Sequence, residues 1–370
     1  MSNNKGGSGA IAGGRTFSEI LSQPRCWEQC LTSLRDDTQL SEVVDRFSDR
    51  SEWIFIGCGS SYYVALSAAA TWTAITGQRA WAVPASEILL YPELVWTHAD
   101  KLGAVLISRS GKTSEVIRVA EIFRARQIST LAISCASDQA LEQLAMAAII
   151  LPQADEQSTV MTRSATSMLL ALEYLAAVVV GKTKFIEGMH QLPADADRHF
   201  RGLPEILRSF VESNRFEDYV CLGQGPFYGL ACESALKLTE MSCSYGQSFH
   251  TLEFRHGPKS IIAPETLVTF LLSEAGYQSE LEVLEEIKAL GATTVAISPN
   301  SESRVRAAAD VFVEMPSNLP ELVRVPSYVF VPQLLALYTG LKKGLNPDEP
   351  RHLSRVVILN DEPNQQPATV

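Results

Sequence analysis

A loop of small polar residues lies between a predicted strand and a predicted helix. Its sequence, Ser108-Arg-Ser-Gly-Lys-Thr113, offers three hydroxyl groups, a flexible glycine and the first amides of the helix. Free N–H groups and the positive end of the helix dipole favour a phosphate at such a place. An ordinary Ser/Thr helix cap has the same composition. A nucleotide-binding P-loop is excluded, because Leu106 stands where that motif requires its first glycine.

A second turn with two hydroxyl groups, Gly57-Cys-Gly-Ser-Ser61, follows another predicted strand. Tyr62 takes the place of the third glycine of the dinucleotide-binding pattern, so a Rossmann cofactor is disfavoured. Ligands of open α/β sheets bind outside the carboxyl ends of the strands, where this turn and the first loop should meet. Thr162 and Arg163 begin a further predicted helix and fit either a ligand contact or a plain helix start.

Candidate acid and base groups lie in the second half of the chain. Glu233, Lys237 and Glu240 are spaced i, i+4 and i+7 on one predicted helix and therefore share a face. A surface row of ion pairs would have the same spacing. His256 precedes Gly-Pro and is expected in a turn. A loop histidine can carry a proton near neutral pH, although a lone histidine is more often structural.

Short β-branched runs alternate with longer helical patterns along the chain. Strands are predicted at 53–57, 104–108, 130–134 and 149–151, and helices at 62–76 and 114–126. This alternation favours a layered α/β fold with a mostly parallel sheet.

The second half of the chain repeats the first. Gly57, Gly59 and Tyr62 recur as Gly223, Gly225 and Tyr228, at a constant shift of 166 residues. The segments 108–111 and 131–134 recur at shifts of 165 and 164, so the register is kept within two residues. We therefore predict two duplicated three-layer αβα domains, each with a mostly parallel sheet.

The two copies differ at the candidate phosphate loop. Glu274 stands where Arg109 does, and Ala275 replaces Ser110. A glutamate at this place would repel a phosphate, so only the first copy is expected to bind an anion.

The chain is predicted to consist of four parts: an N-terminal tail and helical lead-in (1–45), a first domain (46–200), a second domain (201–345) and a C-terminal tail (346–370). The first fifteen residues lack an apolar core and are not expected to be a signal peptide. The longest apolar segment, 168–180, is broken by Glu173 and is too short to cross a bilayer.

The composition is that of a globular chain: of 370 residues, 46% are hydrophobic and 20% are charged. A formal net charge of −11 disfavours binding to nucleic acid or to an anionic membrane. A local cradle of donors can still hold an anionic substrate. The seven cysteines are odd in number and include no C-x-x-C pair, so neither a disulfide framework nor a zinc site is expected. A cytoplasmic location fits this pattern.

Together these segments resemble the sugar isomerase (SIS) family in its tandem two-domain form, over roughly residues 17–358. The matching motifs are Gly57-Cys-Gly-Ser-Ser-Tyr62, Ala85-Ser-Glu87, Ser108-Arg-Ser-Gly-Lys-Thr113, Thr162-Arg163, Ala235-Leu-Lys-Leu-Thr-Glu240 and Glu253-Phe-Arg-His-Gly-Pro258. The isomerase half of glucosamine-6-phosphate synthase is similar. The strings at 161–168 and 254–260 are more similar to galactosamine/tagatose-6-phosphate ketose–aldose isomerases and to amino-sugar-phosphate deaminases.

The resemblance implies a role for each matching residue. Glu240 would move a proton between C1 and C2 of the sugar, and Lys237 would lie near the sugar. His256 would assist ring opening from the neighbouring subunit, which implies a homodimer with a shared active site. No metal or cofactor is implied. The substrate would be held by Ser60, Ser61, Ser108, Ser110 and Thr113 at its phosphate, with Arg109, Thr162 and Arg163 at the same site.

Two departures from the synthase change what is expected. Arg355 stands where the tail of the synthase has a catalytic lysine, and a guanidinium cannot form a Schiff base with a ketose. Arg355 is therefore expected to bind a hydroxyl group or the phosphate. No glutaminase domain precedes the first repeat, so the chain is not expected to take ammonia from glutamine by itself.

The function that these expectations favour is an isomerase or deaminase acting on a hexose or hexosamine 6-phosphate. One carboxylate would remove and return a proton through an enediol or enolamine, while a second group handles the oxygen proton. One alternative is a sugar-phosphate sensor without activity, which should have lost Glu240 or His256. Another is a deglycase that removes an amino acid from a fructosamine 6-phosphate.

Overall fold

Three N-terminal helices lead into the first of two sheets. The computed structural model describes residues 11–36, 38–95, 101–316 and 318–359. The lead-in helices are α1 (Gly14–Leu21), α2 (Gln23–Asp36) and α3 (Thr38–Arg46). The apolar residues Trp27, Leu31 and Leu34 of α2 recur at helical spacing and are buried in the central core.

Five parallel strands form the first sheet: β1 (Glu52–Gly57), β2 (Arg79–Pro84), β3 (Leu102–Ile107), β4 (Ser129–Ser134) and β5 (Ala147–Ile150). Their spatial order is β2-β1-β3-β4-β5. The helices that connect them are α4 (Ser60–Thr76), α5 (Ala85–Leu90), α6 (Ser114–Ala125) and α7 (Ala140–Leu144). Because the chain leaves β1 and β3 toward opposite edges of the sheet, the loops after these strands diverge and open a crevice.

Three helices connect the two sheets: α8 (Arg163–Val179), α9 (Thr183–Phe200) and α10 (Leu203–Ser213). In α8 every residue from 164 to 177 is buried, including Glu173. Burial raises the pKa of this carboxyl well above its usual value and favours its neutral form. Glu173 therefore belongs to the core. Within the described residues, we find no helix with the length and apolarity needed to cross a bilayer.

The second sheet has the same plan as the first. Its parallel strands are β6 (Asp218–Gly223), β7 (Gly246–His250), β8 (Thr266–Leu271), β9 (Thr293–Ser298) and β10 (Val311–Glu314), in the spatial order β10-β9-β8-β6-β7. Strands β7 and β6 correspond to β2 and β1. The remaining helices are α11 (Pro226–Ser242), α12 (Tyr277–Ala289), α13 (Ser303–Ala308), α14 (Glu321–Arg324) and α15 (Phe330–Lys342).

Each sheet lies between two helical layers. Alternate residues of β1 enter different cores, with Trp53 and Phe55 on one face and Ile54 and Ile56 on the other. Strand β6 divides its residues in the same way. The inner faces of both sheets share one continuous core, and each sheet has a separate outer core. The prediction of two three-layer αβα domains with parallel sheets is confirmed.

The predicted strands agree with β1, β3, β4 and β5 to within two residues. The sequence analysis did not identify β2 and β7, which lie at the edges of the two sheets. Nearly all residues of these strands are only partly buried. The edge strand β5 is predicted because it contains two isoleucines, whereas β2 (RAWAVP) has a single β-branched residue and β7 (GQSFH) has none, so both lack the β-branched run by which a strand is recognised.

Helices α4 and α11 hold the two domains together. They run in opposite directions, because Ser60 meets Lys237 at one end of the contact and Ser67 meets Pro226 at the other. The helices approach each other closely at Gly229, where an added Cβ would lie 2.4 Å from Ser67 Oγ and 2.6 Å from Ser67 N. This close approach brings residues of the second domain to the carboxyl edge of the first sheet.

We expect Gly229→Ala to lower the free energy of unfolding by about 1–3 kcal/mol, because the new methyl group forces the two helices apart. Chemical denaturation of the full chain would measure this loss. The matched control is Gly14→Ala, where the nearest atom lies 3.8 Å from the added Cβ. Equal stability of both variants and the wild type would contradict the close-packing argument.

Candidate active site

A cavity of about 200 Å³ lies at the carboxyl edge of the first sheet. The turn after β1, the loop after β3, the loop before α8, the C-terminal segment and one residue of α11 surround it. Its lining consists of Cys58, Gly59, Ser60, Ser61, Arg109, Ser110, Thr113, Thr159, Met161, Glu240 and residues 353–357. Both loops predicted from the sequence therefore meet at one site.

The turn after β1 places two serines at the start of α4. Gly59 adopts φ 55° and ψ −127°, and Gly225 repeats this geometry before α11 with φ 54° and ψ −125°. Residues with a side chain rarely adopt this conformation, which explains why both copies carry glycine. Ser60 and Ser61 are buried yet border the cavity. Because Gly59 supplies no side-chain cap, α4 directs the positive end of its dipole toward the cavity.

The loop after β3 adds further hydroxyl groups. Ser108 Oγ and Thr113 Oγ1 lie 3.1 Å apart, and Ser110 Oγ accepts a hydrogen bond from the Lys112 amide at 3.2 Å. Ser108 is buried beneath the loop, whereas Ser110 and Thr113 border the cavity. Helix α6 begins directly after the loop. Hydroxyl groups and two helix N-termini therefore converge on one small space, which suits a phosphate.

In the second domain, the corresponding loop is hydrogen-bonded to a carboxylate of the same chain. Glu280 accepts hydrogen bonds from the amide of Ser273 at 2.7 Å and from its hydroxyl group at 2.8 Å. Burial raises the pKa of Glu280 to about 7. Glu274, which corresponds to Arg109, pairs with Arg324. The amide and hydroxyl of this loop are thus already satisfied, which gives a physical reason to expect an anion only in the first domain.

Lys237 lies at the centre of the candidate catalytic group. Its side chain is completely buried, and Nζ donates to Ser60 Oγ at 3.0 Å and to Glu240. The same Nζ lies 3.2 Å from Glu233 Oε1. The row of charges on α11 therefore faces the interior. Glu240 is the member that reaches the cavity.

Burial and mutual attraction set the proton affinities of this group. Burial raises the pKa of Glu233 to about 7, although Lys237 opposes the shift. Burial alone would lower the pKa of Lys237, but the two carboxylates outweigh it and the pKa rises. Lys237 therefore stays charged, and the protonatable carboxyl group of Glu233 lies two helical turns from Glu240, on the other side of Lys237.

Thr162 and Arg163 lie outside the cavity, at the start of α8. The amide of Thr162 donates to Glu156 at 2.7 Å. Arg163 donates from Nε to the carbonyl of Asp155 at 3.1 Å and from Nη1 to Ser22 Oγ at 3.1 Å. Both residues hold the loop before α8 in place, so the alternative of a helix start describes their contacts better than a ligand site.

His256 also lies outside the cavity of its own chain. It follows the short 3₁₀ helix Glu253–Arg255 and is exposed. The turn predicted from Gly-Pro is present. A contact between His256 and the site therefore requires a second copy of the chain or a movement of this turn.

Arg109 and Arg355 border the cavity, but their guanidinium groups are already engaged. Arg109 Nη2 donates to the carbonyls of Thr159 at 3.1 Å and of Arg355 at 2.7 Å. Arg355 pairs with Asp155. These contacts distinguish the two arginines from the hydroxyl groups that open onto the cavity.

The sequence analysis did not single out Cys58, Thr159, Met161 or the backbone of 353–357. Thr159 and Met161 reach the cavity because the loop before α8 passes along it. The nearest signal in the sequence is the adjoining Thr162-Arg163 motif. The C-terminal backbone carries no signal of its own, because its contribution does not depend on side-chain type.

The two sheets and the site place the chain in a known family. The SIS domain matches residues 46–178 and 219–341, which contain the two sheets. The chain belongs to the SIS domain family and carries two copies of the domain. Helices α9 and α10 lie between the matched segments.

The chain is similar to curated glutamine–fructose-6-phosphate aminotransferases (isomerizing). The protein from Methanothermobacter thermautotrophicus is 24% identical over 348 residues, which are 93% of this chain and 57% of the relative. The protein from Chlamydia caviae is 28% identical over 359 residues, with 93% and 58% covered. The chain thus spans less than two thirds of the length of these relatives.

Two solved structures match nearly the whole chain. Tagatose-6-phosphate ketose/aldose isomerase from Escherichia coli has a TM-score of 0.82 at 25% identity, with 96% of this chain and 99% of that chain covered. Glucosamine-6-phosphate deaminase from Thermotoga maritima has a TM-score of 0.76 at 26% identity, with 93% and 100% covered. The family and the fold are therefore those of sugar-phosphate isomerases and deaminases.

We expect Lys237→Met to destabilise the chain, and more so at high pH. Glu233 has a folded pKa of about 7 against an ordinary 4.5, so its contribution to stability is present at low pH and is lost as the pH rises between these values. Without the ammonium group this pKa rises further, and the loss continues above pH 7. The deficit in the free energy of unfolding should grow between about pH 6 and about pH 8.5, by up to ~1.4 kcal/mol per pH unit.

Denaturation at both pH values would test this expectation, with Lys288→Met as the matched control. Lys288 pairs with Asp310 at 2.6 Å on the surface, where such a pair contributes about 1 kcal/mol or less. The ordinary pKa of Asp310 lies at 3.8 and the shift is downward, so this control should not change between the two pH values. A deficit of Lys237→Met that is the same at both pH values would contradict the assigned pairing.

Proposed function

We propose that the chain is a cytoplasmic enzyme that binds a hexose or hexosamine 6-phosphate and moves a proton between C1 and C2. The observation that carries this proposal is the position of Lys237, whose ammonium group joins Ser60 of the hydroxyl cradle to Glu240 at the cavity. The hydroxyl groups that would bind the anion and the candidate base Glu240 thus border the same cavity, and Ser60 and Glu240 both contact the ammonium group of Lys237. Ser60, Ser61, Ser110 and Thr113 would hold the phosphate, with Ser108 supporting the loop from below.

In the proposed reaction Glu240 removes the proton from one carbon and returns it to the neighbouring carbon. The charge of the enediol or enolamine develops close to the buried ammonium group of Lys237, and a buried cation stabilises such charge more strongly than an exposed one. Glu233, whose pKa of about 7 lies near neutrality, is suited to accept or supply a proton within the group. No metal ion or cofactor is needed for this proton transfer.

The names of the relatives support this reaction class and leave its outcome open. Isomerisation returns the proton and keeps the substituent on C2, whereas deamination ends in loss of ammonia from C2. The solved structures that match nearly the whole chain include one protein named for each outcome. The curated aminotransferases are nearly twice as long as the matched region, so their complete activity is not transferred to this chain.

His256 enters the proposal through a second copy of the chain. It is exposed and lies away from the cavity of its own chain. We propose a homodimer in which His256 of each copy contributes to ring opening at the other site. Arg355 pairs with Asp155 at the cavity, and it would bind a hydroxyl group or the phosphate of the sugar.

A panel of hexose and hexosamine 6-phosphates, with the unphosphorylated sugars as controls, tests the proposed function. Each compound is scored for ammonia release and for ketose formation. We expect turnover of at least one 6-phosphate and none of the plain sugars. Glu240→Gln should lower kcat by at least about a thousandfold and change the affinity for the phosphosugar only a few-fold, since the amide keeps the shape of the side chain but cannot remove a proton.

Two outcomes would contradict this proposal. Equal binding of phosphorylated and plain sugars would exclude the cradle as a phosphate site. Undiminished turnover by Glu240→Gln would remove Glu240 from its role.

Subunit mixing tests the shared site. Glu240→Gln and His256→Ala homodimers are each expected to be inactive. A mixed dimer contains one site in which both groups are intact, so mixing under exchange conditions should restore up to about a quarter of the wild-type activity, from half of the dimers with one working site each. Absence of any recovery, with subunit exchange demonstrated by mass spectrometry, would argue that each chain builds its site alone.

A further inference from the structure

The C-terminal segment 353–357 forms one wall of the cavity without being buried. Leu353 is 44% exposed and Val357 is 50% exposed, and the residues that follow are also exposed. Such a segment gains little from apolar contact, since its side chains remain in water. Hydrogen bonds to the first domain must therefore determine its position.

The main-chain carbonyl of Arg355 is the point where this segment meets the loop after β3. Arg109 Nη2 donates to that carbonyl at 2.7 Å, and the side chain of Arg355 pairs with Asp155. Farther along, the carbonyl of Val357 accepts from the Ser114 amide at 3.3 Å, and the amide of Leu359 donates to Ser114 Oγ at 2.9 Å. The contact with Arg109 is the shortest of these main-chain contacts.

The same guanidinium group fixes the loop before α8. Nη2 donates to the carbonyl of Thr159 at 3.1 Å, and Nη1 lies 3.4 Å from the carbonyls of Ser158 and Val160. The planar fork of an arginine can satisfy acceptors on two sides at once, which a lysine cannot do. One buried side chain thus joins the phosphate loop, the loop before α8 and the C-terminal segment.

The charge of Arg109 is already balanced inside the protein. Its side chain is 4% exposed, and Nη1 lies 3.6 Å from the buried carboxylate of Glu156. A phosphate in the cavity would compete with this carboxylate and with the carbonyl acceptors. In the second domain the corresponding residue is Glu274, which pairs with Arg324 and not with the C-terminal segment.

We infer that Arg109 is a positioning residue: its guanidinium group fastens residues 353–357 over the cavity and does not bind the phosphate directly. The inference rests on the proposed function for its effect on catalysis, but the fastening itself is a property of the chain alone. The segment lines the cavity next to the loop after β3. Glu240 and Lys237 are held by α11 and α4, and none of their contacts involves Arg109.

The test uses the full chain and trypsin, because Arg355 contributes the carbonyl of the peptide bond that trypsin would cut. In the wild type this carbonyl is bound to Arg109 and the Arg355 side chain is paired, so cleavage requires release of the segment. We expect Arg109→Gln to speed release of residues 356–370 by at least about tenfold, since a hydrogen bond from a charged donor is lost. Lys112→Gln is the matched control, because Lys112 is exposed in the same loop and the charge change is the same.

A kinetic arm separates positioning from a general loss of structure. For a sugar phosphate that the wild type turns over, Arg109→Gln should raise KM by about tenfold and leave kcat within about threefold, because the candidate base is held independently. A variant that is only partly folded would lose kcat at unchanged KM.

Arg109→Lys serves where Arg109→Gln does not fold, because it keeps a positive charge next to Glu156. One ammonium group cannot reach both sets of carbonyls, so cleavage after Arg355 should again be faster than in the wild type. An unchanged cleavage rate in the folded variants would overturn the inference, whatever their activity. If no sugar phosphate is turned over, the proposed function fails while the cleavage arm still decides the role of Arg109.

Discussion

The site depends on keeping one ammonium group charged inside the protein. An unpaired charge cannot be buried without a large loss of free energy, so Lys237 requires both carboxylates of its helix. The same group donates to Ser60 across the domain boundary. The contact between Lys237 and Ser60 fixes the position of α11 relative to α4, and the missing side chain of Gly229 lets the two helices approach closely enough to form it. The contacts that stabilise the buried ammonium group of Lys237 thus also align the hydroxyl groups at the start of α4 with the candidate base Glu240.

The two domains share one fold but differ in the loop after β3 and its counterpart after β8. In the first, hydroxyl groups open onto a cavity of about 200 Å³. In the second, Glu280 satisfies the amide and hydroxyl group of Ser273 from within the chain. A carboxylate presents two oxygen acceptors, as a phosphate would, and can take its place at a helix start without a ligand.

Much of the fold follows from the sequence, because glycine spacing and central strands leave strong signals. Gly59 and Gly225 share one restricted conformation, so the repeat could be aligned without a structure. Strands β2 and β7 leave little signal because they contain at most one β-branched residue each. The contacts of Arg109 could not be predicted, because its hydrogen-bond acceptors are main-chain carbonyls, which no side-chain pattern reveals. Thr162 is likewise satisfied by Glu156, within the loop that precedes it.

The position of the C-terminal segment 353–357 also depends on helix α1, near the opposite end of the described chain. Asp348 accepts from the amide and hydroxyl of Thr16, so its carboxylate caps α1 from a distance of 332 residues in sequence. Glu19 of the same helix accepts from the amide of Gln157 in the loop that Arg109 also holds. Helix α1 therefore lies between the base of the C-terminal segment and the loop before α8. A displacement of α1 would therefore shift two walls of the cavity, the C-terminal segment and the loop before α8. Lys237 and its partners would keep their positions, because α4 and α11 hold them.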